Sequence, residues 1–258
     1  MGFLDMKLSI NILTWNTFNV THETVHLLPD ELEGIDAELI IVDNGSNDGC
    51  QDLATIKNTE NLGISKGKNQ GIDASKGEYI FLLDGDILPV RNSIRMLLEY
   101  MEQNRDCQAI GFMPNKFCNV RNNSGHNGHE EYCHTLYNPR IWKGHCIYYG
   151  MYRREVFDKI RMDENMGPGY GWEDIDSYEQ MKHSGIDQWV AGMNFESGKY
   201  YHAINSSIRN MGMQMYMQTS LQRGEYFKQK WNKVEATIYV GDGQHKDIMV
   251  DNPCLIKS

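Results

Sequence analysis

Glu78-Tyr79-Ile80-Phe81-Leu82-Leu83-Asp84-Gly85-Asp86 decides the fold. An apolar run of this length suits a buried strand and is too short for a comfortable helix. Lys76-Gly77 precede it and Ile87-Leu88-Pro89 follow it. The run stops abruptly in two carboxylates separated by glycine. In open α/β sheets the carboxyl edge of the strands is where ligands bind. Two carboxylates held close repel each other and call for a cation beside them. Hard divalent ions such as Mg²⁺ combine one or two carboxylates with substrate phosphates. The competing reading is a polar turn after a strand, because Asp and Gly are common turn formers.

The stretches before it repeat the pattern. Residues 8–14 read as a first strand, and 38–43 as a second that again ends in a carboxylate, Asp43. Asn44-Gly45-Ser46-Asn47-Asp48-Gly49 is a dense turn cluster. Thr21 or Asn19 is expected to cap a short helix that Pro29 closes. Helical patterns are expected over 50–57 and over 65–75, the latter with Ser65 as N-cap. A helix over 93–103 places Ile94, Leu97, Leu98 and Met101 on one face. Strand and helix alternating in this way predict a parallel sheet with helices on its faces. The three strand ends then gather Thr14, Asn16, Asp43, Asp84 and Asp86 in one crevice.

Further on, strands are expected over 107–113, 146–152 and 188–193. Residues 114–139 form a long polar stretch, and loops of that length in compact domains are commonly functional. A short helix is expected over 153–160, a glycine-rich loop over 161–172 and a helix over 173–184 ending at Gly185. Residues 207–223 have a helical pattern, with Met211, Met213, Met215 and Met217 expected as core filler. There is no internal repeat and no clean linker, so the expectation is a single domain over 1–258.

Composition narrows the partners. A formal net charge of −10 does not favour an extended nucleic-acid or anionic-membrane surface. No uninterrupted apolar run approaches the roughly 20 residues of a membrane span. The opening Met1-Gly2-Phe3-Leu4-Asp5-Met6-Lys7 lacks the features of a signal peptide, so a soluble, cytoplasmic protein is expected. The 6 cysteines are scattered, with no Cys-x-x-Cys pair, which argues against a zinc site or a disulfide framework.

Five motifs in order resemble a nucleotide-sugar-dependent glycosyltransferase of the GT-A fold, of the inverting family-2 type. They are Leu13-Thr14-Trp15-Asn16, Ile41-Val42-Asp43-Asn44-Gly45-Ser46-Asn47-Asp48-Gly49, Asn61 through Gly71, Asp84-Gly85-Asp86 and Gly171-Trp172-Glu173-Asp174. The resemblance implies a Rossmann-like, mostly parallel α/β sheet flanked by helices, with the ligand crevice at the carboxyl edge of the strands. It implies a nucleotide-binding half near 7–113, an acceptor-binding half near 114–236 and a C-terminal tail, 237–258. Thr14, Asn16, Asp43, Asn44, Gly63, Lys68, Asn69, Asp84 and Gly85 are then expected at the nucleotide sugar, with a UDP-sugar the foremost donor. Asp84 and Asp86 resemble the metal-binding Asp-x-Asp, and His202 stands where several such enzymes place a third ligand for Mn²⁺ or Mg²⁺. Asp174 resembles the general base, with Glu173 orienting the acceptor.

The same residues make chemical sense without the family. Sugar transfer from a nucleoside diphosphate needs a base socket, a cation on the pyrophosphate, an acceptor site and a proton acceptor. Asp43 suits a base N–H, although it equally suits a turn cap. Lys68 adds a point charge for phosphates, or is a solvated helix lysine. Glu173 and Asp174 open a helix, where carboxylates are favoured for ordinary reasons. Tyr170, Gly171 and Trp172 immediately before them offer the aromatic platform that sugars use. Asp176 is expected as a solvated helix residue, and His126, His129, His134 and His145 as surface histidines. The rival activities are a sugar-nucleotide nucleotidyltransferase and a non-catalytic sugar-nucleotide or glycan-binding module. A glycine-rich basic phosphate loop after the first strand, which the nucleotidyltransferase requires, is missing from Thr14-Trp15-Asn16-Thr17. Modified DNA as acceptor is a further alternative, against which the acidic balance counts.

Overall fold

The computed structural model describes residues 6–113, 140–143, 149–169, 171–192, 211–233, 235–241 and 244–249. Eight strands form the main sheet: β1 (Leu8–Thr14), β2 (Ala37–Asp43), β3 (Ile56–Lys57), β4 (Tyr79–Asp84), β5 (Ala109–Met113), β6 (Arg140–Lys143), β7 (Tyr149–Arg153) and β8 (Gln188–Gly192). Their order across it is β3-β2-β1-β4-β7-β5-β8-β6. The first four are parallel, β7 runs against both β4 and β5, β8 is parallel to β5, and β6 is antiparallel to β8. This is the mostly parallel α/β sheet that the alternation of elements predicts.

Period-2 alternation along β4 divides the core between the two faces of the sheet. Phe81 and Leu83 join Ile10 and Ile12 of β1 beneath two helices, α1 (Phe18–Glu31) and α4 (Ser93–Gln103). Ile80 and Leu82 point the other way, toward Ile72 of helix α3 (Ile64–Ala74) and Met181 of helix α5 (Glu173–His183). Between α1 and α3 comes a single turn, α2 (Cys50–Leu53). A last helix, α6 (Met213–Trp231), precedes an antiparallel ribbon of β9 (Glu235–Gly241) and β10 (Gln244–Met249). That ribbon occupies part of the segment expected as a tail.

Helix α3 lies unusually close to β1. A Cβ at Gly67 would run into Leu13 Cδ1, and one at Gly71 would lie 2.6 Å from Asn11 Oδ1. The two glycines are one turn apart on the same helix face, so together they lower α3 onto the strand. Beneath it, Asn11 Nδ2 donates to Ser75 Oγ at 2.8 Å, which partners a polar side chain on this side of the sheet.

Several elements differ from the sequence expectation. Helix α1 starts after Thr17 and runs past Pro29, because Leu32 N still donates to Leu28 O at 2.9 Å; Thr21 lies inside the helix, not at its cap. The helix expected over 50–57 stops after one turn, since Thr55 N bonds Ile41 O and draws the chain onto the edge of β2 as β3. Gly63 at φ +88°, not Ser65, caps α3, and Ser65 is buried within it. Residues 153–160 hold a 3-10 turn, Arg154–Val156, in place of a helix, while the Arg154 guanidinium donates to the carbonyls of Gly77 and Ser75. Met215 and Met217 are among the exposed large hydrophobic residues, not core filler. The long stretch 114–139 lies outside the described residues, among which no helix is long and apolar enough to cross a membrane.

Candidate active site

The strand register builds one edge of the site. Thr14 is level with Asp43, and Leu13 with Asp84, so the ends of β1, β2 and β4 finish together. Gly85 turns the chain immediately afterwards, with its N–H donating to Leu13 O at 2.8 Å. A Cβ there would lie 2.9 Å from Leu13 O and from Thr14 Cα, both backbone atoms. The spacer between Asp84 and Asp86 therefore has to be glycine, and it leaves both carboxylates half-buried at the rim.

Several expected ligand residues hold the walls together. The Thr14 hydroxyl is buried and meets Thr17 Oγ1 at 2.8 Å, Thr21 Oγ1 at 2.9 Å and Cys50 Sγ at 3.1 Å. Asn44 donates to Asn61 Oδ1 and Gly63 O and accepts from Asn58 Nδ2 and Leu62 N, which uses its whole amide. Asn69 clamps the loop after β7 by donating to Met162 O and Glu164 Oε1 and accepting from Met162 N. Asn16, at φ +53°, accepts from Asn47 N at 2.9 Å and locks the first loop to the second. Asp43 is buried and its carboxylate receives the Ser46 N–H at 3.2 Å, the turn cap weighed as its alternative role. Gly63 and Gly85 contribute backbone.

The charged centre is assembled from three separated segments. Lys68, in the first turns of α3, is buried, with its Nζ 3.1 Å from Asp84 Oδ1. Burial alone would lower the affinity of this amine for its proton. The opposing fields of Asp84, Asp174 and Glu173 outweigh that, so its pKa rises and the ammonium persists. The solvated-lysine reading is thus overturned. Asp174, in the first turn of α5, shows the reverse balance. Burial, then the adjacent Glu173, and also Asp84, push its carboxyl well above the usual range, against the pull of Lys68 and Arg223.

Helix α6 supplies what sequence reading missed. Arg223 Nη2 lies 3.3 Å from Glu173 Oε2, and only 2% and 6% of the two side chains are exposed. Asp176, expected in solvent, is fully buried and accepts from Gln180 Nε2, Lys230 Nζ and Trp231 Nε1. The expectation failed because Lys230 and Trp231 come from a helix far along the chain, beyond any local period. Trp172 caps α5 at φ +73° and packs its indole on α6: a Cβ at Gly224 would lie 3.1 Å from that ring, and Phe227 stands 5.4 Å away, centroid to centroid. Gly171 is also in the left-handed region, at φ +87°. Tyr170, His202, His126, His129, His134 and His145 lie outside the described residues.

Among the described residues no group of three or more His, Cys, Asp or Glu forms a ready metal cage. Asp84 and Asp86, two oxygen donors at an open rim, still fit the donor set of a hard cation that completes its shell with phosphate and water.

A Rossmann-like sheet with a paired-aspartate corner at its carboxyl edge and a second acidic pair on a helix beyond it defines a GT-A-type α/β protein. Comparison with known proteins agrees. The family model for Glycosyl transferase family 2 matches residues 9–161, and the chain belongs to that family. Over 117 residues, 41% of the chain, it is 32% identical to poly(ribitol-phosphate) beta-N-acetylglucosaminyltransferase TarP of Staphylococcus aureus, covering 36% of that protein. It is 29% identical over 116 residues to glycosyltransferase GlyG of Streptococcus pneumoniae, covering 40% of this chain and 38% of that one. The chain thus spans little more than a third of these relatives. The crystal structure of S. aureus TarS 1-349 in complex with UDP-GlcNAc superposes with a TM-score of 0.55 at 13% identity, covering 86% of this chain and 67% of that one.

Proposed function

We propose that the protein transfers a sugar from a nucleoside-diphosphate sugar to a hydroxyl acceptor, with a divalent cation and with inversion at the anomeric carbon. The observation that carries this reading is buried Lys68, 3.1 Å from Asp84 at the end of β4 and within the field of Asp174 at the start of α5. Leaving-group and acceptor chemistry need separate carboxylates, and these two come from separate elements. Asp43 and the 44–49 turn would take the base, Asp84 and Lys68 the ribose and phosphate region, and the 171–174 turn the acceptor, with Glu173 enclosed against Arg223 and so orienting the turn instead of touching the acceptor. Residues 7–113 form the nucleotide half, and the 114–236 region the acceptor half. UDP-GlcNAc is the first donor to test, because TarP is named for N-acetylglucosamine transfer and TarS has been crystallised with that nucleotide sugar.

Asp84 and Asp86, with His202, would hold Mn²⁺ or Mg²⁺. When bound, the cation neutralises charge that develops on the departing diphosphate. Lys68 would hold its point charge at the same phosphates. Asp174 would take the proton of the attacking hydroxyl. A raised pKa makes it a stronger base than an ordinary carboxylate. The test is calorimetric titration of UDP and UDP-GlcNAc with Mn²⁺ and after EDTA, followed by NMR of the anomeric product. Expected results are cation-dependent binding and an inverted product. Saturable UDP binding unaffected by EDTA would overturn the metal assignment, and absence of any turnover would leave a binding module.

A further inference from the structure

Glu173 and Asp174 are adjacent in sequence, and α6 takes hold of Glu173 directly through Arg223. Trp172, Glu173 and Asp176 of the α5 cap and first turn each take partners from α6: Gly224 with Phe227, Arg223, and Lys230 with Trp231. Those partners recur at 223, 227 and 230, which is one face of a helix. The first turn of α5 is thus gripped at three points on either side of Asp174. The grip also holds a strained backbone: Trp172 is a non-glycine residue in the left-handed region. Such conformations persist only where packing over-determines them, and they cluster at functional sites.

We propose, on the basis of the glycosyltransferase reading, that Arg223 is a positioning residue. By holding Glu173 across the seam between α5 and α6 it fixes the turn that presents Asp174 to the attacking hydroxyl. Arg223 does not reach the substrate itself, because its guanidinium is almost wholly enclosed. Nor is it simply a stabilising partner. Its Nε and Nη1, and Glu173 Oε2, lack hydrogen-bond partners among the described residues, so the pair is an electrostatic clasp without the full set of bonds a stability role would favour.

Water serves as the acceptor in the test, which makes UDP-GlcNAc hydrolysis in the presence of Mn²⁺ the probe. Arg223→Met should lower kcat roughly tenfold or more, as expected for a misplaced base, with KM for UDP-GlcNAc within about twofold of the parent. Arg223→Lys keeps the charge and should recover part of that loss. Because Arg223 acts through Glu173, Arg223→Met/Glu173→Gln should match Glu173→Gln alone. The double variant also removes the unpaired buried charge, and it carries the comparison if Arg223→Met does not fold. A rise in KM at constant kcat, an unchanged kcat in Arg223→Met, or a further loss in the double variant relative to Glu173→Gln would each overturn the inference. Failure of the parent to bind or turn over any nucleotide sugar would instead remove the nucleotide-sugar reading, and this inference with it.

Discussion

Asp174 is where residue chemistry and stability meet. Its carboxyl is raised above the ordinary value of 3.8 in the folded protein. The neutral form is therefore favoured on folding, and this contribution is complete below about pH 4 and lost as pH rises through the folded pKa. Asp174→Asn keeps the shape and removes the ionisation. Its melting temperature should exceed the parent's at pH 7, with the gap closing toward pH 4. The same substitution should lower transfer by about 10²-fold or more at saturating donor while nucleotide binding survives. In the parent, the acidic limb of kcat should lie above the ordinary carboxylate range, since Asp174 in the proposed role of base has to lose its proton to act. A limb that persists unchanged in Asp174→Asn would assign the base elsewhere. Lys68 gives the complementary prediction. Lys68→Met leaves Asp84 and Asp174 facing each other without their cation and should cost about 3 kcal/mol in urea denaturation, the lower end for a broken buried pair because Asp84 is partly exposed.

At the scale of elements, α3 is placed by what it lacks. Gly67 and Gly71 bring its axis down on β1, and Lys68 rides with it to the rim at Asp84. Alanine at either position improves helix propensity by about 1 kcal/mol. It also overpacks the contact with Leu13 or Asn11, at a cost of about 1–3 kcal/mol. Overpacking outweighs propensity where the new methyl has no room, so Gly71→Ala should be destabilised on balance. Because lifting α3 also moves Lys68, nucleotide affinity should fall with it. Chemical denaturation and calorimetry on one preparation check both, and a stabilised Gly71→Ala with parental affinity would show that the helix has freedom to shift.

Across the whole molecule, α6 ties the site to residues about 50 positions further along the chain. Asp176 is fully buried with Gln180, Lys230 and Trp231 around it, so Asp176→Ala leaves the indole N–H without its acceptor and Lys230 with Asp163 as its remaining carboxylate. The expected cost is about 1–3 kcal/mol in equilibrium denaturation, that of a buried donor left without its acceptor, with faster proteolysis within 211–233. Asp176 also shows where sequence reading stops. The three parallel strands, their common carboxyl edge and the Asp84-Gly85-Asp86 corner were legible because each depends on local apolar length and local turn chemistry. Register and periodicity are written in neighbouring residues. Lys68 as a buried ammonium, Asp176 as a buried anchor and Arg223 as the partner of Glu173 were not legible, because the environment of a charge depends on residues distant in the chain. The truncated α2 and the continuation of α1 past Pro29 belong with them, since an available sheet edge and an already packed helix overrode local propensity. Residue order alone dictates which side chains can do chemistry and on which strand ends they stand. Which carboxylate is neutralised, which is raised and which is structural emerges only when the elements pack, because those outcomes follow from burial and from distances between charges.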